Sequence, residues 1–538
     1  MTETTTEPVL EVVPPRRSSS RNILTVMSGT LASRVLGLLR QALFNRFHSD
    51  ITDAFNLAFR IPNLFRELLA EGALTNSIIP VYKSLPLEER PKFASSLTGA
   101  LAGINLLVVG LGILLAPFVV GLRMAHSSSV NYELALHLTR IVWPFLAGIS
   151  FSALAMALLN ASEHFGSSSF SPLAFSVVSI IGMLLFPNNA TVLAIVTVLG
   201  GFAQFFVQIP SLRKFGLMPK LSFSWHPALG KALGLMVPFT FTTGTRELLS
   251  IVLTGILTSF PLGALTGFNN ADSVFLLALG LFAVSPALAY YPRLAEYSTK
   301  NDWTSFRDTL LSASRLVLFF TAPVTAVIFV LAPSVTSAMF EITGRISNDK
   351  FAFTTAALPP LALAMIPWGL NQFLVRAFYV RQRTREAIVI NVAGFLLNTA
   401  MYYLLSRGAP SAEAFKNVNP AQAQSLLNDA LLHYQRMNYG TTITGWLIVI
   451  VYLVTLSLQV QLNWKKLVGH IIKVSIAGFA AAGVASLISS FIPVHRGFFN
   501  GALHLALAGG AALVVYIGLC AVLQVQEVTG LRKRFFKR

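Results

Sequence analysis

The chain has 538 residues, 54% of them hydrophobic and only 12% charged, with a formal net charge of +18. Soluble globular chains carry about 25% charged residues, so the composition excludes a soluble enzyme and points to an all-α integral membrane protein. The basic excess reads as membrane topology, with no nucleic-acid partner, and a single cysteine excludes a disulfide framework or a cysteine-based metal cluster.

Residues 1–21 are polar and basic, with Pro14, Pro15, Arg16, Arg17 and Arg21, and are expected to form a disordered tail. No cleavage pattern follows, so the tail is not read as a signal peptide. About fourteen apolar runs then reach the length of ~20 residues needed to span a bilayer. They fall at roughly 22–46, 52–82, 93–122, 134–161, 171–187, 191–212, 232–260, 271–297, 308–331, 352–380, 386–406, 440–462, 468–492 and 500–524. Fourteen spans put both termini on one side. The loops and tails of that side hold 24 Lys and Arg against 8 in the opposite loops, which places both termini in the cytoplasm. The basic tail at 525–538 agrees and suits anionic headgroups. A long external loop with a short surface helix is expected at 407–439, and it carries no catalytic pattern.

Ser28 to Arg34 and Thr240 to Arg246 each place small and hydroxyl residues just before an arginine inside a span. Six spans apart, this weak repeat suggests a duplicated architecture. Two pseudo-symmetric six-helix lobes, 22–212 and 232–462, would flank a central cationic cavity, with two added C-terminal helices at 468–524. A substrate site between the halves is usual for transporters built this way.

The first two spans carry Arg34, Arg40, Arg60 and Arg66, with Asp53, Glu67 and Glu71. One arginine at mid-membrane costs about 2.5–3.5 kcal/mol even on the lenient insertion scale, so four need a wet or anion-filled cavity. Thr30, Arg34, Gly37, Gln41 and Asn45 follow at helical spacing, as do Asp53, Asn56, Arg60, Asn63, Glu67 and Glu71. Each set therefore lines one helix face. Pro62 removes a backbone donor and is expected to kink the second span. The competing reading is that the arginines snorkel or pair with the three acids; it is strongest for Arg60 and weakest for Arg34, near mid-span, and Arg66. A planar, permanently charged guanidinium suits a phosphate, so the cleft points to an anionic substrate, a phosphate or pyrophosphate. No phosphate loop, zinc-protease pattern or nucleophile–base pair is present. The chain is therefore read as a transporter, not an enzyme, without a bound cofactor and with any coupling drawn from Na+ or the membrane potential.

At this point the motifs become specific. Ser33 to Arg40 (SRVLGLLR), then Thr52 to Tyr82 (TDAFNLAFRIPNLFRELLAEGALTNSIIPVY), resemble the N-terminal signature of the MurJ (MviN) family of lipid II flippases. Arg376 to Ala387 (RAFYVRQRTREA) resembles a later segment of that family. The resemblance implies the fold of the multidrug/oligosaccharidyl-lipid/polysaccharide exporter (MOP) superfamily. It implies a bacterial inner-membrane location and a role in peptidoglycan biosynthesis, cell-wall biogenesis and cell shape. The implied substrate is lipid II, undecaprenyl-pyrophosphate disaccharide-pentapeptide, moved outward by alternating access. Implied partners are membrane lipids and the cell-wall synthesis machinery.

By the same resemblance the cavity arginines are Arg34, Arg40 and Arg66, with Arg60 where many members have lysine. Asp53 and Glu71 take the family's acidic positions, and Asn63 lies in its Pro-Asn motif. Two departures stand out. Ala271-Asp272-Ser273 lacks an arginine common in the family, and Arg246 is expected to supply that charge instead. Gln41 replaces a frequent aspartate. Glu247, Asn391, Asn398 and Thr441 are candidate sodium ligands, although such polar residues more often join helices to one another.

Rival readings remain at this stage. One is a flippase for another polyprenyl-pyrophosphate-linked glycan, or a drug/cation antiporter, of the same superfamily. The cationic cleft opposes a cationic cargo. Another is a membrane enzyme acting on a polyprenyl phosphate, which would need a clustered acid/base or metal pair. A non-transporting scaffold would have no use for mid-membrane arginines.

Overall fold

The structure is a computed structural model that describes residues 20–68, 74–124, 129–234, 252–415, 418–460, 464–492 and 495–529. Among these the regular structure is all helix, and eleven helices are long and apolar enough to cross a membrane.

Helix α1 (Ser20–Phe44) ends at a short turn, and α2 (Ser49–Leu68) returns. The face where α1 begins is called here the near face, and the turn at 45–48 marks the far face. Next come α3 (Leu74–Ser84), α4 (Arg90–Leu114), α5 (Tyr132–Val142), α6 (Phe145–Ala161), α7 (Phe165–Leu185) and α8 (Ala190–Phe206). They pack as one group, with α1 on α7, α7 and α6 on α8, and α2 on α5. Side chains of Ile78, Phe93, Leu97, Leu154, Leu158 and Leu212 fill part of its core.

The second group comprises α9 (Ala264–Leu279), α10 (Trp303–Val330), α11 (Ala332–Phe340), α12 (Asn348–Val380), α13 (Thr384–Ser406) and α14 (Pro420–Val460). Here α12 is central, packing on α9, α10 and α14. A widened π turn at Gly280–Val284 continues α9.

Finally α15 (Trp464–Phe491) and α16 (Gly510–Val522) pack on one another and on α10. Their seam is small: Ala477, Ala481 and Ala485 recur at one-turn spacing, as do Ala508 and Ala512, all buried. Small residues let helices approach closely where lipid supplies no hydrophobic drive. At the far face Arg496 pins this pair down. Its Nη2 reaches Glu341 Oε1 at 2.5 Å and its Nη1 reaches Asn348 Oδ1 at 2.6 Å, while the Gly497 amide donates to Glu341 Oε2 at 2.7 Å.

Three boundaries differ from the sequence expectation. The segment 407–439 is mostly helix, because α14 starts at Pro420 and runs 41 residues, about 60 Å at 1.5 Å per residue. Its outer part is held by packing: Tyr434 is fully buried and stacks edge-on against Phe260 and Phe353. The span expected at 134–161 is two helices broken around Trp143 and Pro144, since proline cannot donate within a helix. The span expected at 271–297 begins earlier, at Ala264, and a separate helix covers Tyr291–Thr299.

Candidate functional site: an arginine cleft beneath a polar seal

The two helix groups meet at the far face through an array of polar side chains. Asp53, from the first turns of α2, is 1% exposed. Its Oδ2 accepts from the Gly263 amide at 2.7 Å and its Oδ1 from the Thr266 amide at 2.9 Å; the Thr266 hydroxyl also donates to Oδ1. The first amides of a helix have no partner inside it, and the helix start carries partial positive charge. Asp53 thus caps α9 across the interface. Gly263 reaches this position with φ +91°, where a Cβ would lie 2.8 Å from Asp349 Oδ2.

Lys350 does the reciprocal job. Fully buried at the start of α12, it donates to the Asn45 carbonyl at 3.2 Å and to the Phe47 carbonyl. These carbonyls close the end of α1, where the helix dipole favours a cation. Each group therefore offers a helix end to an opposite charge from the other group. Between the two contacts, Asn45 and Asn270 exchange amide hydrogen bonds at 3.0 and 2.8 Å. Gln41 donates to Asn270 at 3.0 Å and Asn56 to the Thr266 hydroxyl at 3.0 Å, while the Ser49 and Ser347 hydroxyls meet at 3.1 Å.

Toward the near face the same two helices carry the arginines. Arg34 is exposed, and Arg40, Arg60 and Arg66 are half-buried. Arg40 lays its guanidinium over the Phe175 ring, 5.1 Å from the centroid, and lies close enough to Arg66 for their charges to repel. Arg66 Nε donates to Asn63 Oδ1 at 2.8 Å, which fixes the guanidinium on the α2 face. Pro62, buried inside α2, stands one turn before Arg66. Behind the arginines, Phe44, Phe55, Phe59, Phe145 and Phe175 form a chain of ring contacts with centroids 5.0–5.9 Å apart. That apolar chain links α1, α2, α6 and α7, and Arg40 rests on its Phe175 ring.

The expected site thus divides in two. Arg34 and Arg40 lie in the second half of α1, and Arg60, Asn63 and Arg66 in the second half of α2. Asp53 does not join them, which corrects its expected place in the cleft: its carboxylate is consumed by the α9 helix start. Glu71, Arg246 and Glu247 lie outside the described residues, as does the second copy of the repeat at 240–246. Ser273, where the family arginine is missing, turns its hydroxyl back on the Asn270 carbonyl at 2.7 Å. Of the sodium candidates, Asn391 and Asn398 stand two turns apart on α13, and the Thr441 hydroxyl is engaged by Tyr402 at 2.6 Å. Among the described residues no three His, Cys, Asp or Glu side chains group as a metal site. Asn270 and Lys350 were not singled out from sequence. An asparagine inside an otherwise apolar span was the available signal for the first; the second reads as an ordinary loop lysine.

Comparison with known proteins follows this geometry. The family model described as lipid II flippase MurJ matches residues 47–494. The chain belongs to this family. Membership makes it a transport protein and not an enzyme. It is 28% identical over 402 residues to the lipid II flippase MurJ of Burkholderia cenocepacia, covering 71% of this chain and 78% of the relative. It is 28% identical over 469 residues to a probable lipid II flippase MurJ of Vibrio cholerae, covering 82% and 87%. A solved lipid II flippase MurJ in an inward closed conformation superposes with TM-score 0.73 at 20% identity, over 94% of this chain and all of that one. An inward-facing multidrug MATE transporter of the MOP superfamily follows with TM-score 0.60 at 12% identity, over 81% and 99%.

Proposed function

We propose that this chain carries lipid II from the inner to the outer leaflet of the bacterial cytoplasmic membrane, and that Arg34, Arg40 and Arg66 hold its pyrophosphate. The observation that carries the reading is three arginines on α1 and α2, the two helices whose joined ends form the far-face seal. The three-to-one excess of Lys and Arg on the near side makes that side cytoplasmic. The cleft then faces the leaflet where an anionic cargo is loaded, and the seal keeps the far side shut. Arg60 and Asn63 extend the same face.

In this reading fourteen spans form two six-helix lobes, 22–212 and 232–462, flanking the cationic cavity. The pair at 468–524 lies along the second lobe and offers its surface to the polyprenyl tail, while the sugars and peptide ride in the hydrated cleft. Binding of the diphosphate neutralises the arginines' mutual repulsion and lets the near side close. Loss of the Asp53 and Lys350 contacts then opens the far side. No bond is cut. Arg246 adds the cavity charge absent at Ser273, so exchanging the two residue types restores function lost in Arg246→Ser.

The test is complementation of a bacterium depleted of its own flippase, with outward delivery of lipid II as the direct readout. The wild-type chain restores both. Arg34→Ala and Arg66→Ala at equal expression fail, because losing one charged contact to a desolvated phosphate costs about 2–5 kcal/mol. Rescue by all three makes the arginines structural. Failure of well-folded wild type points to a different lipid-linked cargo.

A further inference from the structure

The segment that links the two helix groups on the near face, residues 215–228, has no helix in its first part, yet it is not loosely placed. Ser222 donates its amide to the Ser95 carbonyl at 3.3 Å, Lys220 donates its amide to Ser95 Oγ at 3.1 Å, and Ser96 Oγ donates to the Ser224 carbonyl. The ribbon lies so close to α4 that a Cβ on Gly99 would fall 1.9 Å from the Ser222 carbonyl oxygen. His226 closes the end of the ribbon with an edge-on contact to Phe93, ring centroids 5.6 Å apart.

An extended strand alternates its side chains between two sides. Here the backbone of Ser222 and Ser224 is held on α4, and the alternate residues Leu221, Phe223 and Trp225 are 62%, 75% and 70% exposed. Three large apolar side chains at alternate positions, presented by a backbone that is itself clamped, form an apolar edge left open among the described residues. A small apolar cavity of about 140 Å³ adjoins it, lined by Phe151, Phe205, Met218 and Leu221 among others. The charge along the ribbon's own sequence has one sign. Arg213, Lys214, Lys220 and Lys231 flank it, and the sequence holds no Asp or Glu between Glu163 and Glu247.

We infer that this ribbon is an interfacial anchor for anionic phospholipid on the near leaflet. Leu221, Phe223 and Trp225 enter the headgroup–acyl boundary, and the four cations meet lipid phosphates. Aromatic residues favour that depth, and each Lys or Arg near an anionic surface adds attraction. The ribbon connects the two groups that must move against one another, so the leaflet's charge becomes a condition on that movement. A second copy of this chain is a poorer occupant, because it would bring the same unbalanced cations to the contact.

Spin labels at Leu221→Cys, Phe223→Cys and Trp225→Cys test this in the full chain reconstituted in nanodiscs; the native Cys520 is buried. In discs containing phosphatidylglycerol, all three labels are accessible to oxygen and shielded from a water-soluble nickel chelate. In pure phosphatidylcholine, or in the triple variant Arg213→Gln, Lys214→Gln, Lys220→Gln, they become accessible to nickel. Each cation removed lowers the ratio of inserted to lifted ribbon about fivefold. Gly99→Ala lifts the ribbon and exposes the labels even with phosphatidylglycerol. Nickel access in both lipids overturns the anchor, and equal shielding in both overturns the role of lipid charge. Spin–spin broadening between labels would show instead that a second copy covers the edge. None of these outcomes depends on which cargo the cleft carries.

Discussion

Two charged clusters carried by or docked on α1 and α2 solve opposite problems. At the far face the two buried charges have fixed partners: Asp53 holds the α9 amides and Lys350 the α1 carbonyls. Toward the near face, arginines gather on one side of the same helices, Arg40 beside the charge of Arg66. A satisfied polar array in a low dielectric is rigid and specific, whereas crowded like charges gain most from an added anion. The seal is therefore complete as it stands, whereas an anion between Arg40 and Arg66 would offset like charge.

Breaking the seal should have the largest effect. Asp53→Ala removes two amide hydrogen bonds to a carboxylate, each worth about 1.5–3 kcal/mol, and should favour the far-open state at least about a hundredfold. Spin labels at His48→Cys and Arg345→Cys, one on each group, would report this as a longer distance population. Lys350→Met keeps the aliphatic volume but leaves the α1 carbonyls unpaired, at about 1–3 kcal/mol. The same pair of labels should shift the same way, by about tenfold. An unchanged distance in both variants would reduce the reciprocal caps to local packing.

Gly267→Ala separates stability from gating. Its Cβ would lie 2.6 Å from Phe353 Cβ, inside the α9–α12 contact, and overpacking of this kind costs about 1–3 kcal/mol. The melting temperature should fall by a few degrees with the label distances unaltered. The smallest change is expected from Arg40→Lys, which keeps the charge but loses the planar contact with Phe175, about 0.5–1 kcal/mol. Lipid II delivery should drop two- to fivefold, while Arg40→Ala should drop it much further. Equal losses for the two would mean that packing on Phe175, not charge, is what Arg40 contributes.

Much of this division was legible in the chain. Four arginines in two apolar spans, two of them on helical stripes and two flanking these, demanded a polar cleft; the structure puts Arg34 and Arg40 in the second half of α1 and Arg60 and Arg66 in the second half of α2. Gln41 and Asn45 were read on the same stripe, correctly as one face. Their partner Asn270 comes from 225 residues further along the chain than Asn45, and periodicity carries no information about which distant helix a face will meet. Asp53 was misplaced for a related reason. Its position on the stripe is right, but a helix start from the other group takes its charge before any ligand can. Lys350 and the outer turns of α14 looked like external loop because local composition there is polar; burial by Tyr434, Phe260 and Phe353 is a tertiary outcome.

The cap on α9 has one more consequence. Gly263 and Thr266 keep their amide hydrogens on a carboxylate that belongs to the other helix group, and nothing inside α9 can replace that acceptor for its first turn. Exchange of those two hydrogens with deuterium requires the groups to part at the far face. Their protection is thus a built-in clock for outward opening, readable in the unmodified protein and set by how often the two halves separate.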